Sequence, residues 1–137
     1  VKNLILMKLK LKDLVLLRQE LNGLSDRTTG QVFYKGLLLQ EIHFKAKYHL
    51  SKLSKEVEKE IEQLTESEKE LFKKYFGETE PEQTKEFFES EAFINYSTDR
   101  AELFDEEIDF KDFSFSIDDL DFKSSESYPT FIELFLK

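Results

Sequence analysis

At 137 residues, the chain has room for one ordinary domain, and with no cysteine it has no disulfide framework. The balance of 20 basic against 29 acidic residues gives a net charge of -9, which excludes a uniformly basic nucleic-acid surface. The charge is uneven: residues 1–77 hold 15 Lys and Arg against 11 Asp and Glu, whereas residues 78–137 hold 5 against 18, so one end of the chain is basic and the other strongly acidic.

Met7, Leu9 and Leu11 alternate with Lys8, Lys10 and Lys12, and this period of two predicts a short edge strand over Leu4 to Leu11. The same lysines interrupt the apolar opening too early for a signal peptide, so neither export nor a membrane span is expected. Asp13 is the expected cap of a three-turn helix in which Leu14, Leu17 and Leu21 share a face up to Gly23. Residues 25–31 concentrate turn formers and read as a loop. From Val32 to Ile42 the chain is too uniformly apolar for a period to emerge, and a helix is expected there.

The clearest element runs from about His43 to Phe76, where Leu50, Leu53, Val57, Ile61, Leu64, Leu71 and Tyr75 step by three and four residues. Glu68 breaks the stripe and reads as an exposed point, and Gly77 is the stop. A helix of this length extends about 50 Å at 1.5 Å per residue and needs a mate for its apolar face. That mate is expected from about Gln83 to Phe104, with a break near Ser97-Thr98-Asp99, so that a helical hairpin forms across the linker 78–83.

Beyond Glu107 the period returns to two: Ile108 and Phe110, then Phe113, Phe115 and Ile117, predict one bent strand or two short ones able to pair with the first strand. Asp118 to Ser125 reads as an acidic loop, and the apolar tail from Tyr128 to Leu136 as a docking segment. The expected class is therefore mainly α with a minor β component in a single domain, 1–137. Twelve of the fourteen phenylalanines follow position 71. Rings of this kind are favoured anchors in interfaces, which nominates Phe87, Phe88, Phe93, Phe110, Phe113, Phe115, Phe131 and Phe135 as interface residues.

Little points to catalysis or to a cofactor. His43 and His49 lie about 240 degrees apart on a helix and cannot share a metal ion. The pairs Glu56/Glu60 and Glu58/Glu62 lack the histidine of a carboxylate metal site, and Lys55 and Lys59 offer simpler ion pairs. Asp118, Asp119 and Asp121 lack the glycine and terminal glutamate of a calcium loop, and four glycines leave no phosphate loop. Lys45, Lys47, Lys52 and Lys55 could line a basic helix face, but the overall charge makes nucleic acid the lesser expectation beside protein partners or a homo-oligomer.

Met7-Lys-Leu-Lys-Leu-Lys-Asp-Leu14, the helix bearing Tyr48, Leu50, Lys52 and Leu53 that runs to Lys74-Tyr75, and the acidic stretch Leu103 to Phe110 resemble in order a family of small bacteriophage proteins. Those proteins begin Met-Lys-Leu-x-Leu-x-Asp-Leu and close on an apolar element. The segment 24–41 and the short linker after Gly77 depart from that pattern. The resemblance implies phage origin and expression with virion or assembly genes, and it carries over no functional residue. The resulting expectation is a non-enzymatic structural or assembly protein, a minor component of the tail or connector region in the virion, or in the host cytoplasm. The alternative is an acidic inhibitor or adaptor of a host enzyme.

Overall fold

A computed structural model describes residues 6–116, 118–120 and 127–136. The predicted positions Leu4, Ile5, Ile117 and Asp121 lie outside the described residues, as does the side chain of Asp119. Strand β1 (Leu6–Lys10) runs into helix α1 (Leu11–Asn22), and a hairpin of β2 (Gly23–Ser25) and β3 (Val32–Lys35) follows. The long helix α2 (Phe44–Phe76) comes next, then α3 (Lys85–Glu89), α4 (Glu91–Phe104), strand β4 (Glu107–Lys111) and α5 (Pro129–Phe135). The described chain is thus mainly helical, with two small antiparallel sheets.

The alternation read from the sequence decides the first sheet. β1 pairs antiparallel with β4, with Met7 opposite Phe110 and Leu9 opposite Ile108, so the apolar members share the inner face. Lys8 and Asp109 face each other on the outer side with an N–O distance of 2.9 Å. α1 begins two residues before the predicted cap: Asp13 sits inside the first turn, and its carboxylate accepts the Lys10 backbone N–H at 3.1 Å. Leu14, Leu17 and Leu21 are buried, as their spacing requires.

The expected helix over Val32 to Ile42 is corrected. Val32–Lys35 is a strand paired with Gly23–Ser25, and Leu37–Leu39 makes only a single 3-10 turn. The reversal between the strands is built by Asp26, whose carboxylate accepts the N–H groups of Thr28 at 2.8 Å and Thr29 at 3.3 Å. Gly23 is required at the turn out of α1, because its φ is 78° and a Cβ there would lie 2.4 Å from the Tyr34 carbonyl oxygen.

α2 spans 33 residues, within one residue of expectation, and its last turn closes on Gly77, whose N–H donates to the Lys73 carbonyl at 2.8 Å. Leu50, Leu53, Val57, Ile61 and Leu64 are buried in a single cluster with the leucines of α1 and with Phe110, Phe113, Phe115, Tyr128, Phe131 and Phe135. Glu58 pairs with Arg18 of α1 at 2.8 Å rather than with Lys55, and Lys59 pairs along the helix with Glu56 at 3.5 Å rather than with Glu62.

The second expected C-terminal strand reduces to one bridge, Phe115 to Leu136, because the backbone there meets the end of α5 rather than another strand. The expected helix break lies at Ser90, not at 97–99. Ser90 ends α3 and caps α4, and Ser97 to Asp99 stay helical, with the Thr98 hydroxyl donating to the Ile94 carbonyl at 3.0 Å.

Candidate functional site

The burial pattern changes sharply along α2. Every buried position of the helix precedes Thr65, and no residue from Thr65 to Asp109 is buried. This stretch nevertheless carries Phe72, Tyr75, Phe76, Phe87, Phe88, Phe93, Tyr96 and Phe104. Rings of that size are ordinarily taken into a core, and here they form an arm of α3 and α4 laid along the end of α2.

Local signals fold the arm. The Thr84 hydroxyl accepts the Phe87 N–H at 3.2 Å and starts α3. The Ser90 hydroxyl donates to the Phe87 carbonyl at 2.6 Å and accepts the Phe93 N–H at 3.2 Å, so one side chain joins the end of α3 to the start of α4. The bend brings Phe87, Phe88 and Phe93 together with ring centroids 5.1 to 5.2 Å apart. Phe76 meets Phe87 at 5.0 Å, and the Tyr96 ring stands edge-on to Phe72 at 5.6 Å. Edge-to-face arrays of this kind hold their geometry through ring quadrupoles as well as buried area.

Polar ties fasten α4 to α2 and to the sheet. Glu68, expected at an exposed point, instead accepts a hydrogen bond from Arg100 at 3.1 Å, and the same guanidinium lies 4.3 Å from the Phe104 ring centroid. The Tyr75 hydroxyl donates to the Asp99 carboxylate, and that bond raises its pKa above the ordinary tyrosine value. Asp105 receives Lys10 at 2.9 Å and Lys12 at 3.2 Å.

Hydrogen bonds from Lys10 and Lys12 hold the Asp105 carboxyl below the usual aspartate range, and the same contact raises Lys10. A depressed folded pKa gives stability that is present above the unfolded value of about 3.9 and lost as the pH falls through the folded one. A raised Lys10 adds stability that persists below its unfolded value and is lost in alkali. A carbon-detected NMR titration is therefore expected to find Asp105 titrating below free aspartate, and Lys10→Met to move its midpoint back up. An unshifted midpoint in the wild-type protein would contradict this tie.

Between α4 and the start of α1 a shallow groove of about 940 Å³ opens over Phe88, Phe93, Ile94 and Phe104, rimmed by Glu102, Asp105 and Lys12. Phe88 is 47% exposed and Ile94 55%, so the floor of the groove is apolar surface in contact with solvent. The arm itself is acidic, since residues 78–106 carry ten carboxylates against Lys85 and Arg100, while Asp105 at the edge of the groove is paired with Lys10 and Lys12.

Of the interface residues nominated from sequence, Phe87, Phe88 and Phe93 lie together in this arm. Phe110, Phe113, Phe115, Phe131 and Phe135 do not belong to a surface: all are buried in the chain's own core, because β4 turns Phe110 inward and α5 docks over it. The sequence reading missed Phe44 and Tyr48, 72% and 59% exposed on the outer side of α2. The signal was available: positions 44, 48, 52, 55 and 59 repeat every three or four residues opposite the leucine stripe, and the Lys52 ammonium lies 4.8 Å from the Tyr48 ring centroid. His43 serves as the α2 cap, its Nδ1 accepting the Lys45 N–H at 3.3 Å.

Among the described residues no group of three or more His, Asp and Glu side chains is arranged to hold a metal ion, and no helix is long and apolar enough to cross a membrane. Comparison with family models, curated proteins and solved structures gives no match to this chain.

Proposed function

We propose that this chain is a non-enzymatic binding protein of bacteriophage, a minor structural or assembly component that works through the aromatic arm. The observation that carries this reading is the array of rings between Thr65 and Asp109, which the chain folds into order without burying any of them. An ordered aromatic surface with an open apolar groove has the anatomy of an interface centre, where a few large side chains supply most of the binding energy. The order of motifs shared with the small phage proteins supports the phage setting.

The test removes exposed apolar side chains without touching the core. Phe88→Ala combined with Ile94→Ala is expected to shift the melting temperature by no more than about 3 °C, since both side chains are half exposed. The same change is expected to lower affinity for the arm's partner by about 30-fold, the effect of losing one interface hot spot. Mass spectrometry of purified virions and assembly intermediates reads the outcome. Absence of the wild-type protein from both rejects the reading, as does undiminished incorporation of the double variant.

A second reading, an acidic adaptor or inhibitor of a host enzyme, is favoured by the ten carboxylates of residues 78–106. It differs in which change abolishes binding. Neutralising Glu91 and Glu102 would then matter more than removing Phe88 and Ile94.

A further inference from the structure

The acidic aromatic arm has a complement within the same molecule, on a face that cannot reach it. The outer side of the first half of α2 presents Phe44 and Tyr48 with Lys45, Lys52 and Lys55, and with Lys59 beside its partner Glu56, while Ala46, Leu50, Leu53 and Val57 fill the opposite side. The arm lies on the leucine side, through Phe72 and Tyr75, near the other end of the helix. From Tyr48 to Phe76 the axis advances about 40 Å at 1.5 Å per residue. Basic aromatic face and acidic aromatic groove are thus at opposite ends and on opposite sides of one rigid element.

The geometry points to a second copy of this chain as the occupant of the arm, with the basic aromatic face of one molecule seated on the acidic groove of the next. This rests on the reading of the arm as a protein-binding surface. The two faces match in sign, in aromatic content and in length, since Lys45 to Lys59 and the 14 residues of α4 each extend about 21 Å. An oligonucleotide would also bring negative charge and stacking rings to the lysine face, but the carboxylates of the same molecule would repel its phosphates. The arm of a second copy offers both features without that opposition. Because the two surfaces differ and face opposite ways, the contact is heterologous: each molecule added leaves one free groove and one free lysine face, and growth continues past the dimer.

Analytical ultracentrifugation of the full chain from micromolar to millimolar concentration tests this. At low ionic strength the wild-type protein is expected to give a mass that rises beyond two copies, and to fall back towards the monomer in high salt. Lys52→Glu with Lys55→Glu reverses one face, and Glu91→Lys with Glu102→Lys reverses the other; all four positions are exposed, and circular dichroism checks that the variants remain folded. Each double variant alone is expected to associate at least about tenfold more weakly, through like-charge repulsion, and an equal mixture to regain association, because each then meets its opposite. A wild-type protein that stays monomeric, a species that stops at two copies, or a mixture no stronger than its components overturns the proposal, and so does tight oligonucleotide binding at Lys52 and Lys55 by a monomeric protein. Loss of particle incorporation in the Phe88 and Ile94 variant beside a monomeric wild type would sink self-association alone and leave the binding role of the arm intact.

Discussion

Replacing Phe135 by alanine is expected to destabilise the protein by about 3–5 kcal/mol, the usual range for removing a buried ring. The side chain is fully buried and meets Phe110, Phe113 and Phe131 at ring-centroid distances of 6.0 to 6.4 Å. Those partners are held by β4, by the segment after it and by α5 itself, so none can close the void without breaking the β1–β4 ladder or the 2.9 Å bond from the Phe115 N–H to the Phe135 carbonyl. For a chain of this length the loss corresponds to roughly 10–20 °C in melting temperature. Phe88→Ala provides the comparison: removing the same ring from a half-exposed position leaves the melt almost unchanged. Equal shifts at the two sites, measured by calorimetry, would mean that the core does not close on α5.

Glu20 carries the second large effect. It is buried on α1, and its two carboxylate oxygens accept the backbone N–H groups of Thr130 at 3.2 Å and Phe131 at 3.0 Å. α5 begins Tyr128-Pro129 with no side-chain cap of its own, so a residue more than a hundred positions away satisfies its first-turn donors. The favourable end of the helix dipole offsets the cost of burying the charge. Glu20→Ala leaves two donors without a partner and is expected to cost about 2–4 kcal/mol. Glu20→Gln keeps one acceptor oxygen and is expected to cost about half as much. Denaturant unfolding gives the energies, and amide exchange identifies the cause: Thr130 and Phe131 should lose protection selectively in Glu20→Ala. Unchanged exchange at those amides would refute the cap.

The elements legible in the sequence were those whose period is long or whose partner shares the same period. α2 could be read because its leucine stripe persists over 33 residues and ends on a glycine. The β1–β4 pair could be read because the Leu-Lys alternation of one matches the Ile-Asp-Phe alternation of the other. Val32–Lys35 could not, since a uniformly apolar run has no period, and the deciding information lay in the turn chemistry of Asp26 and in Gly23. The helix break was misassigned because Ser97-Thr98-Asp99 has the composition of a turn, whereas in the folded protein the Thr98 hydroxyl bonds back within the helix and Ser90 carries the cap.

The candidate site was half legible for a similar reason. Composition marks the second half of the chain as rich in phenylalanine, but it cannot sort rings that enter a core from rings that remain outside. That sorting depends on where α5 docks, a long-range event with no local signature. Phe131 and Phe135 go inward because the Glu20 carboxylate draws the start of α5 onto α1, while Phe88, met only on one side by the Phe87 and Phe93 rings among the described residues, stays half exposed.

The closing of the core by α5 also bears on how the molecule is born. A ribosome working at about 5–20 residues per second releases Leu14 and Leu17 on the order of ten seconds before Phe131. During that interval the leucines of α1 and α2 lack the cover that α5 later provides. A message truncated ahead of Pro129 therefore yields a sticky, protease-sensitive fragment instead of a smaller working protein, and quality control in the producing cell would see it as unfinished.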